Sequence, residues 1–247
     1  MSSKTVVTIL LTFALLTTAA MLFSTTEALE ASPPISVNGN DELDALAKEL
    51  QWDVDGDGSV ERPYVITDLH IGEAGRAGIS IQNTDRYIII KNCNISGARS
   101  GELAQGAAIL LLGVSNVTIE GNDLYLNDYG ISISSSNNIS VNNNNIISSE
   151  YSGIEIDGSE NVTVTNNRFE ACEYGDSICL YESRDCLLKG NWIIGGYTGI
   201  YVSGSDSNTI SKNEIIGTVE GIYLSQADDN RLYLIRTPSL RTRSSAP

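Results

Sequence analysis

Residues 130–146 read GISISSSNNISVNNNNI, and one short rhythm occurs in them twice. Ile131 and Ile133 alternate with serines, and Ile139 and Val141 alternate with polar residues further on. A period of two is the signature of a strand with one buried face. Asn144 stands three residues after Val141, and two residues later the chain is apolar again at Ile146. The stretch therefore holds three short strands separated by turns rich in Ser and Asn.

The phrase recurs along the chain. Starts fall at Gly78-Ile79, Ala108-Ile109, Gly130-Ile131, Gly153-Ile154, Ser177-Ile178, Gly199-Ile200 and Gly221-Ile222, in steps of 30, 22, 23, 24, 22 and 22 residues. Second pairs follow at Ile88/Ile90, Val117/Ile119, Ile139/Val141, Val162/Val164 and Cys186/Leu188, with only Ile210 kept in the next unit. Asn122, Asn144, Asn167, Asn191 and Asn213 hold the turn position, which Cys93 holds in the first unit. Nothing from Gly78 to Leu224 runs at a helical period. Such a unit cannot bury its inner face alone. Stacked in parallel, each coil pairs with the next at about 4.8 Å and the stack closes a continuous core. The repeated Asn then turns inward at a corner, bonding corner backbone and the Asn of the next coil.

The Gly-Ile-x-Ile, Asn-Val-Thr-Ile and Asn-x-Ile phrases resemble the right-handed parallel β-helix repeats of the pectin-lyase-like fold, over about residues 62–226. The resemblance implies an all-β solenoid of about seven coils. It implies company among polysaccharide lyases and hydrolases, surface proteins, and exported accessory proteins of copper-enzyme maturation. It says little of activity, because the matching residues are core ones. One His and two Met, both Met within the first 21 residues, leave little for copper.

The rest of the chain divides around this repeat. Lys4 followed by an uncharged, apolar stretch and small residues reads as a secretory signal over 1–28. An uncleaved membrane anchor is the alternative, weakened by eight Ser and Thr between Thr5 and Thr26. Either way the protein is expected to be secreted or at the cell surface. Residues 29–61 are expected to form an N-terminal cap: Asn40 starts a helix over Asp41–Gln51, with Leu43, Leu46, Ala47 and Leu50 on one face. The β-helix then covers 62–230. Residues 231–247 are basic, lack the Asn-x-Ile phrase and read as a poorly ordered tail.

Charge excludes some partners. The chain carries 15 Lys+Arg against 31 Asp+Glu, and residues 29–230 hold 10 against 30, a net −20. Such a body repels phosphate backbones, so nucleic acid is not an expected partner. Apolar residues at 41% and charged residues at 19% argue for a packed core over disorder.

Several motifs carry candidate chemistry. Asp53-Val54-Asp55-Gly56-Asp57-Gly58 places carboxylates at alternate positions before a glycine, as a calcium loop does. Position twelve from Asp53 is Tyr64, so the closing ligand must be Glu61 or Asp68; a plain Asp-Gly turn is the alternative. Asn94, Asn116, Asn138 and Asn161 begin sequons and are candidate glycosylation sites, the last three also fitting a repeated turn position. Cys172, Cys179 and Cys186 are spaced too widely for a zinc site. Cys172 and Cys179 are a candidate disulfide, and Cys93 and Cys186 read as small buried residues.

The outward face of the first strand is the candidate site. Alternation points Glu155, Asp157, Cys179, Tyr181, Tyr201 and Tyr223 to solvent, and Tyr129, Tyr151, Tyr174 and Tyr197 stand just before that strand in successive coils. Stacking is expected to align these four rings into a ladder beside Glu155, Asp157, Glu173 and Asp176. Rings against the apolar faces of sugars, with carboxylates accepting hydroxyl hydrogen bonds, suit a polysaccharide or an envelope component. Outward rings that merely shield the sheet are the alternative. For cleavage, Glu155 and Asp157 lie about 6.6 Å apart along a strand, within the range of about 6.5–9.5 Å for inverting carboxylate pairs. Hydrolases of the resembled superfamily add Gly-His-Gly and Arg-x-Lys, whereas the one His is His70, and residues 100–230 hold only Arg168, Arg184, Lys189 and Lys212. The sequence therefore favours a binding module over a lyase or hydrolase.

Overall fold

The computed structural model describes residues 31–52, 56–99, 106–170, 172, 175–233, 235–237 and 240–243. Its strands form three parallel sheets of nine, eight and seven strands, designated A, B and C. Along the chain they recur in that order, so one pass through all three makes a coil. Coils pair in register: Ile131 lies between Ile109 and Ile154, Val141 between Ile119 and Val164, and Ile146 between Leu124 and Phe169. The result is the parallel solenoid of about seven coils that the repeat predicts. Its core is rows of buried Ile, Leu and Val, each side chain contributing about 1.5–3 kcal/mol of hydrophobic stabilisation.

The glycine of the Gly-Ile phrase answers to packing. A Cβ at Gly153 would stand 2.6 Å from Cδ1 of Phe169, and one at Gly199 would stand 2.6 Å from Cγ2 of Ile215, both on sheet C. The corner is filled from the opposite sheet.

Two polar ladders run inside the corners. Asn122, Asn144, Asn167 and Asn191 each donate Nδ2 to the Oδ1 of the Asn in the next coil, at 2.9–3.1 Å, and each backbone N–H donates to the same oxygen. A serine ladder accompanies it at the A-to-B corner. The backbone N–H groups of Ser136, Ser159 and Ser183 donate to the hydroxyls of Ser159, Ser183 and Ser205. Those hydroxyls donate in turn to strand carbonyls two residues back. The sequence reading found the first ladder and missed the second, although each serine follows its inward pair by the same three residues.

The ends differ from expectation in three ways. The helix spans Asn40–Glu49 with Leu43 and Ala47 buried, but Gly39 precedes it and Asn40 is already inside it, so Asn40 is no cap. Its Oδ1 instead accepts the Thr84 hydroxyl at 2.6 Å, tying the helix to the next coil. The solenoid begins before residue 62, because strand Ile35–Asn38 pairs with Ala77–Gln82. It also continues past residue 230. Strands Arg231–Tyr233 and Leu240–Arg243 extend sheets B and A within the stretch expected to be a disordered tail. Leu232, in register with Ile210, keeps one inward apolar place there. Residues 1–28, read as a signal, lie outside the described residues.

Candidate functional site

Sheet A presents rows of outward residues set by its register. Glu155, Cys179, Tyr201 and Tyr223 form one row, Asp157, Tyr181, Ser203 and Ser225 a second, and Asp176, Thr198 and Glu220 a third. The first two rows carry the residues that alternation predicts to face outward, except that Cys179, expected at solvent, is buried beneath the surface. Tyr201 and Tyr223 stack with ring centroids 5.3 Å apart and planes 9° apart, and Tyr181 tilts onto Tyr201 at 5.6 Å. Three half-buried rings thus make a continuous platform across three strands. Asp176, Tyr197, Thr198, Tyr201, Glu220 and Tyr223 border a shallow depression of about 380 Å³ at its edge.

The acids beside the platform are strained electrostatically. Burial, and then the neighbouring Asp157, pushes the Glu155 carboxyl above its ordinary value. Burial also raises Asp176, partly offset by hydrogen bonds from Thr198 and Cys179. The Cys179 thiol donates to Oδ2 of Asp176 at 3.2 Å and lies beneath the surface, where burial raises it well above 9.0. A face of this kind can stack on the apolar side of a sugar and accept hydrogen bonds along one edge. Glu220 and Thr198 were missed from sequence. Their signal was position, since Glu220 precedes Gly221-Ile222 as Asp176 precedes Ser177-Ile178.

The four-ring ladder does not form as one row. Tyr129 is in register with Ser152, not Tyr151, and is only 4% exposed. The coil steps of 23 and 24 residues shift the later tyrosines out of line. Tyr129 and Tyr151 still stack as a separate pair, with centroids 5.6 Å apart. Tyr197 is 54% exposed and stands at the rim between the depression and a larger cavity of about 760 Å³ that includes Leu126, Glu150 and Val219. Tyr174 and Glu173 lie outside the described residues.

The remaining candidates are dispersed. Asp53 and Asp55 lie outside the described residues. Asp57 is engaged by Arg62 at 2.5 Å and by the Ser59 N–H at 3.0 Å. Hydrogen bonds from Ser59 and Arg62 lower it to about 2. Glu61 is exposed, and among the described residues no three acids, histidines or cysteines gather as a metal would need. Asn116, Asn138 and Asn161 sit one above another with φ of 64°, 54° and 54°, a left-handed turn that Asn tolerates. Asn138 and Asn161 are exposed, and Asn94 lies on sheet C. The expected Cys172–Cys179 disulfide is absent: all four cysteines are free and buried, and Cys179 turns its sulfur to Asp176. His70 is on sheet C, away from the tyrosine face. Among the described residues no helix is long and apolar enough to cross a membrane.

A stacked solenoid with an aromatic and acidic face defines a structural class, and the family follows from the sequence match. The chain matches the model of the right handed beta helix region over residues 54–215 and 152–234, and it belongs to that family. A search of curated proteins returns no match. Among solved structures it is similar to a double mutant of the periplasmic alginate epimerase AlgG. Identity there is 19% and the TM-score 0.57, over 82% of this chain and 51% of that one. It is similar to a DFA-IIIase mutant from Arthrobacter chlorophenolicus A6 in complex with DFA-III, at 19% identity and TM-score 0.53, over 69% and 44%. A third is PfbA, a surface adhesin of Streptococcus pneumoniae, at 15% and 0.50, over 69% and 59%. The chain spans about half the length of the epimerase. At these identities the likeness is one of fold.

Proposed function

We propose that the protein is an exported β-helix module, secreted or held at the cell surface, that binds a polysaccharide or another envelope glycan on sheet A without cleaving it. The platform of Tyr181, Tyr201 and Tyr223 beside four carboxyls carries this reading, because stacked rings with one face open mark interaction sites and match sugar faces. Its structural neighbours, which include an alginate epimerase and a surface adhesin, support a polysaccharide or envelope partner. A glycan array, run with and without calcium, tests it. Retention is expected to fall at least fivefold in Tyr201→Ala, since Tyr201 touches both other rings, and to persist in Ser203→Ala. A calcium requirement would support the Asp53, Asp55, Asp57 and Glu61 loop as a metal site. Retention that ignores Tyr201 would refute the platform.

The raised Glu155 carboxyl beside Asp157 favours a second reading, a lyase or hydrolase using that pair. It predicts unsaturated products or new reducing ends that vanish in Glu155→Gln, against retention without turnover for a binder.

A further inference from the structure

The platform reading leaves the chemistry of the sugar open, and the charge around the platform narrows it. The six sheet A strands from Ala107–Leu112 to Glu220–Ser225 contain no Lys or Arg. Glu155, Asp157, Asp176 and Glu220 all lie on or beside their outward face. The turns leading to sheet B add Glu182, Asp206, Asp228 and Asp229, and the one cation there, Arg184, is held by Glu160. On the opposite edge Arg99 is held by Glu150 and Arg168 by Glu170. Basic residues return to sheet A only in its last strand, where Arg241 and Arg243 fall in register beyond Tyr223 and Ser225.

A uronate polymer laid along this face would bring one carboxylate per sugar against these acids, and like charges disfavour that approach. A neutral sugar would hydrogen-bond to Glu155, Asp157 and Asp176 but bring them no countercharge. A protonated amine meets both features at once: it pairs with carboxylates and rests over tyrosine rings. We infer that the glycan held on this face is a polymer of amino sugars carrying free, protonated amines, running along the Tyr181–Tyr201–Tyr223 platform toward Glu155 and Asp157. This rests on the glycan-binding reading and names the class of sugar within it. Burial of Glu155 and Asp176 points the same way, because a cation beside each would relieve the cost of its charge.

Calorimetric titration of the whole chain with a glucosamine hexamer, its N-acetylated counterpart and an oligogalacturonate tests this, in buffer that keeps the amines protonated. The free-amine hexamer is expected to bind, the N-acetylated form at least tenfold more weakly, and the uronate not at all. Glu155→Gln with Asp157→Asn is expected to weaken the amine hexamer about tenfold. Glu120→Gln with Asp123→Asn makes the same charge change at the junction of sheets B and C, and is expected to leave binding within about twofold. Preference for the N-acetylated or uronate oligomer overturns the amino-sugar inference while glycan binding stands. Equal losses in the two double variants overturn it likewise, because they reduce the attraction to bulk charge. Binding of none of the three also overturns it, and an array on which no glycan is retained removes the platform reading as well.

Discussion

Asn167 lies in the middle of the buried amide ladder, and its replacement by Ala removes four hydrogen bonds at once. Its Oδ1 accepts the Asn144 backbone N–H at 2.9 Å and the Asn144 Nδ2 at 3.0 Å. Its Nδ2 donates to the Val141 carbonyl at 2.9 Å and to the Asn191 Oδ1 at 3.1 Å. Asn167 is 1% exposed, so water does not replace these partners. Stranding the Asn144 N–H costs about 1–3 kcal/mol, and the other three bonds are worth about 0.5–1.5 kcal/mol each. The expected loss is therefore about 2.5–7.5 kcal/mol, a large share of a typical domain's stability. Urea unfolding followed by circular dichroism measures it, with Thr165→Ala, at the end of the strand that leads into the same corner, expected to stay within about 0.5 kcal/mol. Hydrogen exchange gives an independent reading, since protection at the Asn144 amide is expected to collapse before its neighbours respond. A loss below about 1 kcal/mol, or unchanged protection at that amide, would refute the view that the ladder holds the coils in register.

Gly153→Ala is expected to cost about 1–3 kcal/mol by overpacking against Phe169 and the Ser177 carbonyl, read as a lowered Tm. Gly158→Ala, at a left-handed turn of φ 55° where a Cβ would meet only Ser135 Oγ at 4.0 Å, is expected to cost about 1–2 kcal/mol from backbone alone. For pH, the raised Glu155 keeps its proton in the fold above its ordinary value of 4.5. Its contribution to stability is therefore greatest below that value and falls as pH rises through the raised one. Glu155→Gln is expected to match the parent in acid and exceed it near neutrality, measured as Tm against pH; a variant less stable at neutral pH would contradict this. All four cysteines are buried, with Cys93, Cys172 and Cys186 raised to about 11. A thiol reagent is expected to find almost none in the native protein and four after unfolding without reductant; two would reveal a disulfide.

The inward rows were legible because the core forces identity at fixed spacing. Ile131, Ile154, Ile178 and Ile200 must be apolar at one register, and Asn144, Asn167 and Asn191 must be amides, so the period survives in the letters. The serine ladder obeys the same rule, but serine is also the common filler of turns, and Ser136 looks like its neighbours Ser134 and Ser135. The site was legible only in part. Counting outward from an inward pair places Tyr181, Tyr201 and Tyr223 correctly, because alternation holds within a strand. Counting back across a turn fails, because turns absorb one or two extra residues without disturbing the core. That is why Tyr129 and Tyr151 look equivalent in the sequence and differ by one register position in the fold.

The outward rows also show which residues the fold does not ask for. At the register of Glu155 the preceding coil carries Ser132, and at that of Asp176 the following coil carries Thr198; both are accommodated without an ionisable group. Glu155 and Asp176 are raised by burial, so at neutral pH their charged forms work against the folded state. A solenoid selected for stability alone has no need of a carboxyl there, since most of its other coils carry none at these registers. Tyr181, Tyr201 and Tyr223 can be explained as sheet shielding, since aromatics suit strands. The partly buried acids beside them cannot, because shielding is served by apolar contact and weakened by a desolvated carboxylate. The coincidence of both on one face, across the four successive sheet A strands from Ser152–Asp157 to Glu220–Ser225, is what a bound ligand would account for: rings supply the contact, and the ligand supplies countercharge to Glu155 and Asp176.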